Sequence, residues 1–357
     1  MLDNVVLIFC EFFLLLVIPR SLKRVATEQS IIARRTIRME QLGPLESPVS
    51  EDFSRVVTFS TDRGSLDHDA IQHVLQNDNI VLIENNSPEQ ADEIVAKVCE
   101  RFDLLSKLQV QAGFTSVMDQ RKKVEQFYMT VNQREEFEFI QPHSEGMSFM
   151  NIQLASFYCY ENSTDGGETL LFNVKQNPHI WSNLREEVVK GKVVGPLSPS
   201  DIAKARLLYK ISMPDDALSP DDKILNEAPS VIPGLEVYTV LTKPKATRSC
   251  ILDKMLFVNW DSIASVDNSQ AESYYQLLRS EQLLRENNNA WDWTTYDNAR
   301  DRKCWNSEID MADLYSCKVT YKLKRGDLLL VNNMSWTHAV NNWTPNSGIR
   351  RVTAAFA

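Results

Sequence analysis

The pattern of apolar and polar positions predicts alternating strands and helices in the first third of the chain. Arg55–Phe59 is rich in β-branched and aromatic residues, and Asn79–Ile83 is a short apolar run, so both are predicted strands. His68–Gln76 and Pro88–Phe102 carry apolar residues at helical spacing, and Ser87 is the expected N-cap of the second helix. This part of the pattern predicts helices that lie beside strands.

Strand patterns dominate the rest of the chain. Phe149–Tyr160 and Thr169–Phe172 flank the turn-rich sequence Asn162–Gly167. Together they predict a β-hairpin or a close relative of one. Three more runs near the C-terminal end have strand character, and they are Cys317–Leu323, Asp327–Val331 and Arg351–Phe356.

The region between these strands is mixed. Helices are predicted at Ser182–Val189 and Gln270–Arg285, with a strand at Leu235–Leu241. Strands on both sides of a long irregular middle predict a mainly β fold with flanking helices. We expect a β-sandwich or jelly roll in a domain of residues 53–357, with a large insertion at about residues 176–315.

The N-terminal segment, residues 1–38, has a different composition. Val5–Ile18 is an apolar run broken only by Glu11, and basic residues follow it. The run is short for a membrane span, which needs about 20 residues, and only Asp3 stands where a secretory signal would carry positive charge. Three interpretations stay open: a weak membrane anchor with its basic flank inside, a degenerate signal, or sequence upstream of a functional start at Met39.

Charge and cysteine usage narrow the class of protein. The net charge of −10 argues against a nucleic-acid binder, which needs a basic face to contact phosphates. The six cysteines include no Cys-x-x-Cys pair, so we expect neither a disulfide framework nor a structural zinc site. We interpret the cysteines as the reduced thiols of a cytoplasmic protein. Membrane contact is expected only through residues 5–18, and the expected partner is a small-molecule substrate. The oligomeric state stays open.

One of the five histidines, His143, is followed two positions later by the carboxylate of Glu145. Aspartate and glutamate occupy 48 of 357 positions, so five histidines give roughly 0.7 such pairs by chance. Residues i and i+2 of a strand point to the same side, however, so this pair can occupy two adjacent positions on a metal ion. A second histidine would complete the two-histidine, one-carboxylate triad of iron(II) oxygenases.

His338 is the candidate for that third ligand. It follows Lys324–Asn333, which contains a Gly-Asp turn, an apolar strand and a polar loop. Arg351 comes 13 residues later, and its guanidinium suits a bidentate contact with a carboxylate. Thr353 would lie on the same strand face and add a hydroxyl. His143, Glu145 and Arg351 also have ordinary structural explanations, as a satisfied buried histidine, a surface charge and a salt-bridge partner.

At this point the sequence resembles the taurine dioxygenase/TfdA-like family of iron(II), 2-oxoglutarate-dependent dioxygenases, within the clavaminate synthase-like superfamily. Phe157–Tyr160 followed by Gly166–Leu170 is similar to the family's Tyr-Cys and Gly-Gly-Glu-Thr segment, and Lys324–His338 is similar to a second segment. The resemblance extends from about Gln141 to Phe356, with a loosely matching middle. It implies a double-stranded β-helix, or jelly-roll, core.

The resemblance also implies roles for single residues. His143, Glu145 and His338 would ligate Fe(II), and Thr169 would hydrogen-bond the distal carboxylate of the co-substrate 2-oxoglutarate. Arg351 would pair with the same carboxylate. Arg350 is an alternative, because a slip of one residue exchanges the two arginines.

The implied reaction uses O2 and releases succinate and CO2 while a small molecule is oxidised. Family halogenases have a small residue in place of the carboxylate ligand, so Glu145 favours hydroxylation, desaturation or cyclisation. The family often carries a second arginine four residues after the first, where this chain has Ala355. An amino acid or an intermediate of specialised metabolism would be typical of the family. Two alternatives stay open. One is a jelly-roll protein that binds a metal or a small acid without turnover, and the other is a membrane-tethered scaffold, for which the apolar run at residues 5–18 is the reason.

Overall fold

The computed structural model describes residues 49–63, 65–114, 121–131, 140–146, 151–183, 185–257, 263–265, 303–305, 311–341, 343–344 and 346–357. The apolar run at residues 5–18 and the helix predicted at residues 270–285 lie outside them. Among the described helices, none is long and apolar enough to cross a membrane.

The protein is mainly β with a few helices. The strands are β1 (Val56–Ser60), β2 (Ile80–Glu84), β3 (Met129–Thr130), β4 (Ile140–His143), β5 (Leu154–Asn162), β6 (Thr169–Val174), β7 (Glu186–Val193), β8 (Lys223–Ala228), β9 (Leu235–Thr242), β10 (Ala246–Ser249), β11 (Lys254–Phe257), β12 (Ile263–Ser265), β13 (Lys303–Trp305), β14 (Tyr315–Tyr321), β15 (Leu328–Asn332), β16 (Trp336–Val340) and β17 (Arg350–Phe356). The α-helices are α1 (His68–Gln76), α2 (Pro88–Arg101), α3 (Leu105–Phe114), α4 (Pro178–Asn183) and α5 (Pro199–Tyr209). Short 3-10 turns lie at Phe53–Arg55, Thr61–Arg63 and Met311–Leu314.

Two sheets form the larger of two compact units, residues 46–186 and 243–357. One sheet has the order β1-β2-β15-β5-β17-β3, and the other has the order β14-β6-β16-β4. Consecutive strands alternate between the two sheets, both along β4, β5, β6 and along β14, β15, β16, β17. Chain segments far apart in sequence therefore become neighbours in each sheet.

An apolar core fills the space between these sheets. Phe157 and Phe356 of the six-stranded sheet and Leu171 and Trp336 of the four-stranded sheet belong to one buried cluster. Because side chains alternate along a strand, the other face of the six-stranded sheet needs a separate cover. Helices α1, α2 and α3 provide it, in a second cluster that includes Tyr158 of β5.

The second compact unit comprises, among the described residues, Glu187–Thr242. Its three-stranded sheet has the order β7-β9-β8, and α5 begins after the Ser198 capping box. A small core that includes Ile211, Ile232 and Val237 stabilises it.

Several local predictions are confirmed. α1 spans the predicted His68–Gln76, and α2 begins directly after Ser87, whose hydroxyl and Gln90 form a capping box. Cys99, Cys159, Cys250 and Cys317 are free thiols. The expected mainly β composition with flanking helices is also correct.

Two predictions are wrong. β5 and β6 do not form a hairpin, because they lie in different sheets and pair with strands from the C-terminal part of the chain. The helix predicted at Ser182–Val189 is also wrong, since α4 ends at Asn183 and β7 begins at Glu186. Pairing with β9 overrides the local helical spacing there.

Candidate metal centre

The four-stranded sheet brings two distant histidines together. His143 ends β4 and lies directly opposite His338 in the antiparallel pairing of β4 with β16. The two imidazole ring centroids are 4.2 Å apart. His338 is buried, and the Phe157 ring packs against it at 4.8 Å from across the core. Both histidines therefore lie on the inner face of the sheet.

Glu145 joins the pair because the chain turns sharply after β4. Its Oε1 atom lies 3.6 Å from His143 Nε2 and 3.5 Å from His338 Nε2. Gly146 makes the turn with a φ of +91°, and a Cβ there would lie 2.8 Å from Ile152 Cδ1. Any other residue at position 146 would be strained by this positive φ, and the Ile152 side chain would have to shift to make room for it.

Asn333 fixes the backbone on which Glu145 stands. Its Oδ1 accepts a hydrogen bond from the Glu145 N–H at 2.9 Å, and its Nδ2 donates to the Glu145 carbonyl at 3.0 Å. The same Nδ2 donates to the Ile152 carbonyl at 2.9 Å. This buried amide thus connects the end of β15 to the backbone of Glu145 and to that of Ile152.

The three donor atoms suit a divalent transition metal. One ligand atom from each of His143, Glu145 and His338 lies within 4.8 Å of the others, so one ion can contact all three. Burial, followed by the charge of His143, lowers the pKa of His338 to about 4, which leaves its imidazole neutral at pH 7. Two imidazole nitrogens and one carboxylate oxygen are the donors of the facial iron(II) triad.

The carboxylate of Glu145 stays ionised in this setting. Burial alone would raise its pKa, but the hydrogen-bonding histidines and the charge of Arg121 outweigh burial and hold the pKa well below its usual value. No motif or spacing in the sequence singles out Arg121. It stands beside Lys122 and Lys123, and such a run of charges is usually a solvated surface.

Thr169 lies on the same inner face as the histidines. In the pairing of β6 with β16, Thr169 is opposite Val340 and Leu171 is opposite His338. Directly opposed residues of an antiparallel pair share a face, and alternate residues of a strand do as well. Thr169 is therefore buried on the inner face, two residues along β6 from Leu171, which lies opposite His338.

The two adjacent arginines of β17 point in different directions. Arg350 extends toward the Gly-Gly-Glu-Thr segment, where its Nε donates to the Gly167 carbonyl at 3.1 Å. A Cβ on Gly167 would lie 2.9 Å from Arg350 Cδ, so glycine leaves the space that this side chain occupies. Burial lowers the pKa of Arg350 to about 10, so it remains a cation at neutral pH.

Arg351 is exposed and lies over the ring of Tyr160, with its guanidinium carbon 4.5 Å from the ring centroid. Tyr160 packs against the helix-covered core and donates a hydrogen bond to Glu125 at 2.7 Å. Thr353 on the same side donates to the Tyr158 carbonyl at 3.4 Å. Arg351 and Thr353 thus belong to the face of the six-stranded sheet that turns away from the histidines.

No protein-family model and no curated protein matches this chain. Among solved structures, it is similar to PvcB from Pseudomonas aeruginosa, with 11% identity over 90% of this chain and 94% of that chain and a TM-score of 0.38. It is also similar to the non-heme iron oxygenase OrfP in complex with Fe, with 10% identity, 81% and 79% coverage and a TM-score of 0.37. A third is AAD-2 in complex with Mn(II) and N-oxalylglycine, with 11% identity, 81% and 86% coverage and a TM-score of 0.33.

Proposed function

We propose that this protein is an iron(II)- and 2-oxoglutarate-dependent oxygenase that oxidises a small molecule. The observation that carries the proposal is the convergence of His143 Nε2, His338 Nε2 and a Glu145 oxygen on one inner face. Three protein ligands on one side of an ion leave the remaining positions for a chelating co-substrate and oxygen. The strand alternation between two facing sheets supports a double-stranded β-helix as the scaffold.

Arg350 and Thr169 would bind the distal carboxylate of 2-oxoglutarate. Arg350 supplies a cation beside the segment that begins β6, and Thr169 supplies a hydroxyl on the inner face. A planar guanidinium binds a carboxylate with two parallel hydrogen bonds, which also fixes its orientation. Arg351 fits this role less well, because its side chain lies over Tyr160 on the other face.

The chain's own residues prepare the site before any co-substrate arrives. His338 is kept neutral and Glu145 ionised, so neither needs to change its protonation state at pH 7 to bind a metal. Phe157 and Phe356 line the inner face as apolar neighbours, which limits the access of water. Bound iron(II) would supply the oxidation of the substrate coupled to decarboxylation of 2-oxoglutarate to succinate and CO2.

The proposed outcome is hydroxylation, desaturation or cyclisation. Glu145 fills the position that must be open for a halide to bind, so halogenation is not expected. An amino acid or an intermediate of specialised metabolism is the substrate class that we would screen first.

A turnover assay separates this proposal from binding without catalysis. We expect Fe(II)-dependent conversion of 2-oxoglutarate to succinate, stimulated by one member of a panel of small molecules, and at least about a 100-fold loss in His143→Ala. His179→Ala is the matched control, because His179 is an exposed histidine on α4. Binding of Fe(II) and 2-oxoglutarate with no succinate across the panel would favour the non-catalytic alternative. Unchanged turnover in His143→Ala would refute the iron assignment.

A further inference from the structure

The two oxygens of the Glu145 carboxylate have different surroundings. Oε1 faces the Nε2 atoms of His143 and His338 at 3.6 and 3.5 Å. Oε2 faces Arg121, whose Nη2 donates to it at 3.4 Å. The carboxylate is therefore directed toward the metal ligands through one oxygen and toward a cation through the other.

Arg121 is held against the inner face by the residues around it. Its guanidinium carbon lies 5.4 Å from the centroid of the Phe356 ring, and its Nη1 lies 3.7 Å from the sulfur of Met129. Phe356 belongs to the core between the sheets, so the cation lies at the edge of that core. Stacking on an aromatic face favours a guanidinium there.

The backbone that carries Arg121 is also fixed. The next residue, Lys122, accepts a hydrogen bond from the Thr130 N–H at 2.9 Å, and its own N–H donates to Thr130 Oγ1 at 2.9 Å. Residues 122–130 form a hairpin, in which Lys123 and Met129 make an antiparallel bridge. The turn of this hairpin is bound to α2 through Asp92, whose carboxylate accepts from the N–H groups of Gln126 and Phe127 at 2.7 and 2.9 Å. Arg121 therefore approaches Glu145 from a segment that is anchored at its start and at its turn.

We infer that Arg121 is a positioning residue that holds Oε2 and so makes Glu145 a ligand through a single oxygen. The inference rests on the proposed function. A carboxylate can bind a metal ion through one or both oxygens, and a hydrogen-bonded partner on one oxygen favours the first arrangement.

The number of ligand positions explains why this matters. A six-coordinate ion with three protein donors has three positions left, of which 2-oxoglutarate takes two. If both oxygens of Glu145 bound the ion, 2-oxoglutarate would fill the sphere and leave no position for oxygen. Arg121 would thus preserve the last open position.

Water counting on Mn(II) tests this without turnover. Water-proton relaxation gives the number of exchangeable waters on Mn(II), an octahedral ion that replaces Fe(II) in such sites. The native protein should hold about three waters with Mn(II) alone and about one after 2-oxoglutarate is added, as expected for three protein donors. Arg121→Met should hold about one water fewer in each state. Its complex with Mn(II) and 2-oxoglutarate should therefore hold no water on the ion, and the contribution of bound water to water-proton relaxation should disappear.

Lys122→Met is the matched control, because Lys122 is an exposed cation in the same hairpin; its water counts should equal those of the native protein. The inference is overturned if Arg121→Met has the native counts. It is also overturned if the native protein itself holds about two waters and then none, a result that needs no variant to fold. If the native protein binds no Mn(II), or if 2-oxoglutarate displaces no water, the proposed function itself fails.

Discussion

At the scale of single residues, the site separates two roles that the sequence could not distinguish. Arg350 and Arg351 are adjacent and chemically identical, and only the direction of each side chain tells them apart. Arg350 contacts Gly167 near the start of β6, whereas Arg351 stacks on Tyr160 on the opposite face. A strand turns neighbouring side chains to opposite faces, so an uncertainty of one residue in register is decided only by the assembled sheet.

This difference gives a prediction for co-substrate binding. Arg350→Leu should raise the KM for 2-oxoglutarate by at least about 30-fold, because loss of one partner of a buried ion pair costs 2 kcal/mol or more. Arg351→Leu is the matched control and should change that KM by less than about 3-fold, since it removes an exposed contact with Tyr160. Steady-state kinetics with varied 2-oxoglutarate would measure both. A larger effect in Arg351→Leu than in Arg350→Leu would reverse our assignment.

At the scale of elements, the site depends on how β15 and β4 are joined. Asn333 follows β15 and hydrogen-bonds the backbone of Glu145 and of Ile152. The sequence shows an asparagine before His338 but not what it contacts, because its partners lie more than 180 positions away. By contrast, the local signals that begin α2 at Ser87 are all within one turn, and they predicted its start correctly.

Replacing Asn333 should weaken metal binding by more than its effect on stability explains. We expect Asn333→Leu to weaken Mn(II) binding by about 10- to 100-fold, as is usual when a residue that supports a metal ligand is lost. Asn173→Leu is the control: Asn173 is also buried on the inner face but hydrogen-bonds Asp78 and the Ser335 carbonyl. Both variants should lose about 1–3 kcal/mol of unfolding free energy from unsatisfied buried groups. Equal loss of Mn(II) affinity in the two variants would contradict a specific role for Asn333.

At the scale of the whole molecule, alternation between sheets builds the candidate centre. β5 pairs with β15 and β17, and β6 pairs with β14 and β16, so the N-terminal half of the site is completed only by the last strands of the chain. Local patterns predicted most of these strands but joined β5 to β6 as a hairpin, because nearest neighbours are the simplest partners. The ordered motifs predicted which residues would meet, and the sheet pairing provides the geometry by which His143 and His338 do so.

We propose that His143, Glu145 and His338 together hold one metal ion. Anomalous diffraction at the manganese edge, from crystals of the protein grown with Mn(II) and 2-oxoglutarate, tests it most directly. We expect one peak per chain within bonding distance, about 2.0–2.3 Å, of both Nε2 atoms and one oxygen of Glu145. A chain with no peak, or with its peak at other side chains, would contradict it.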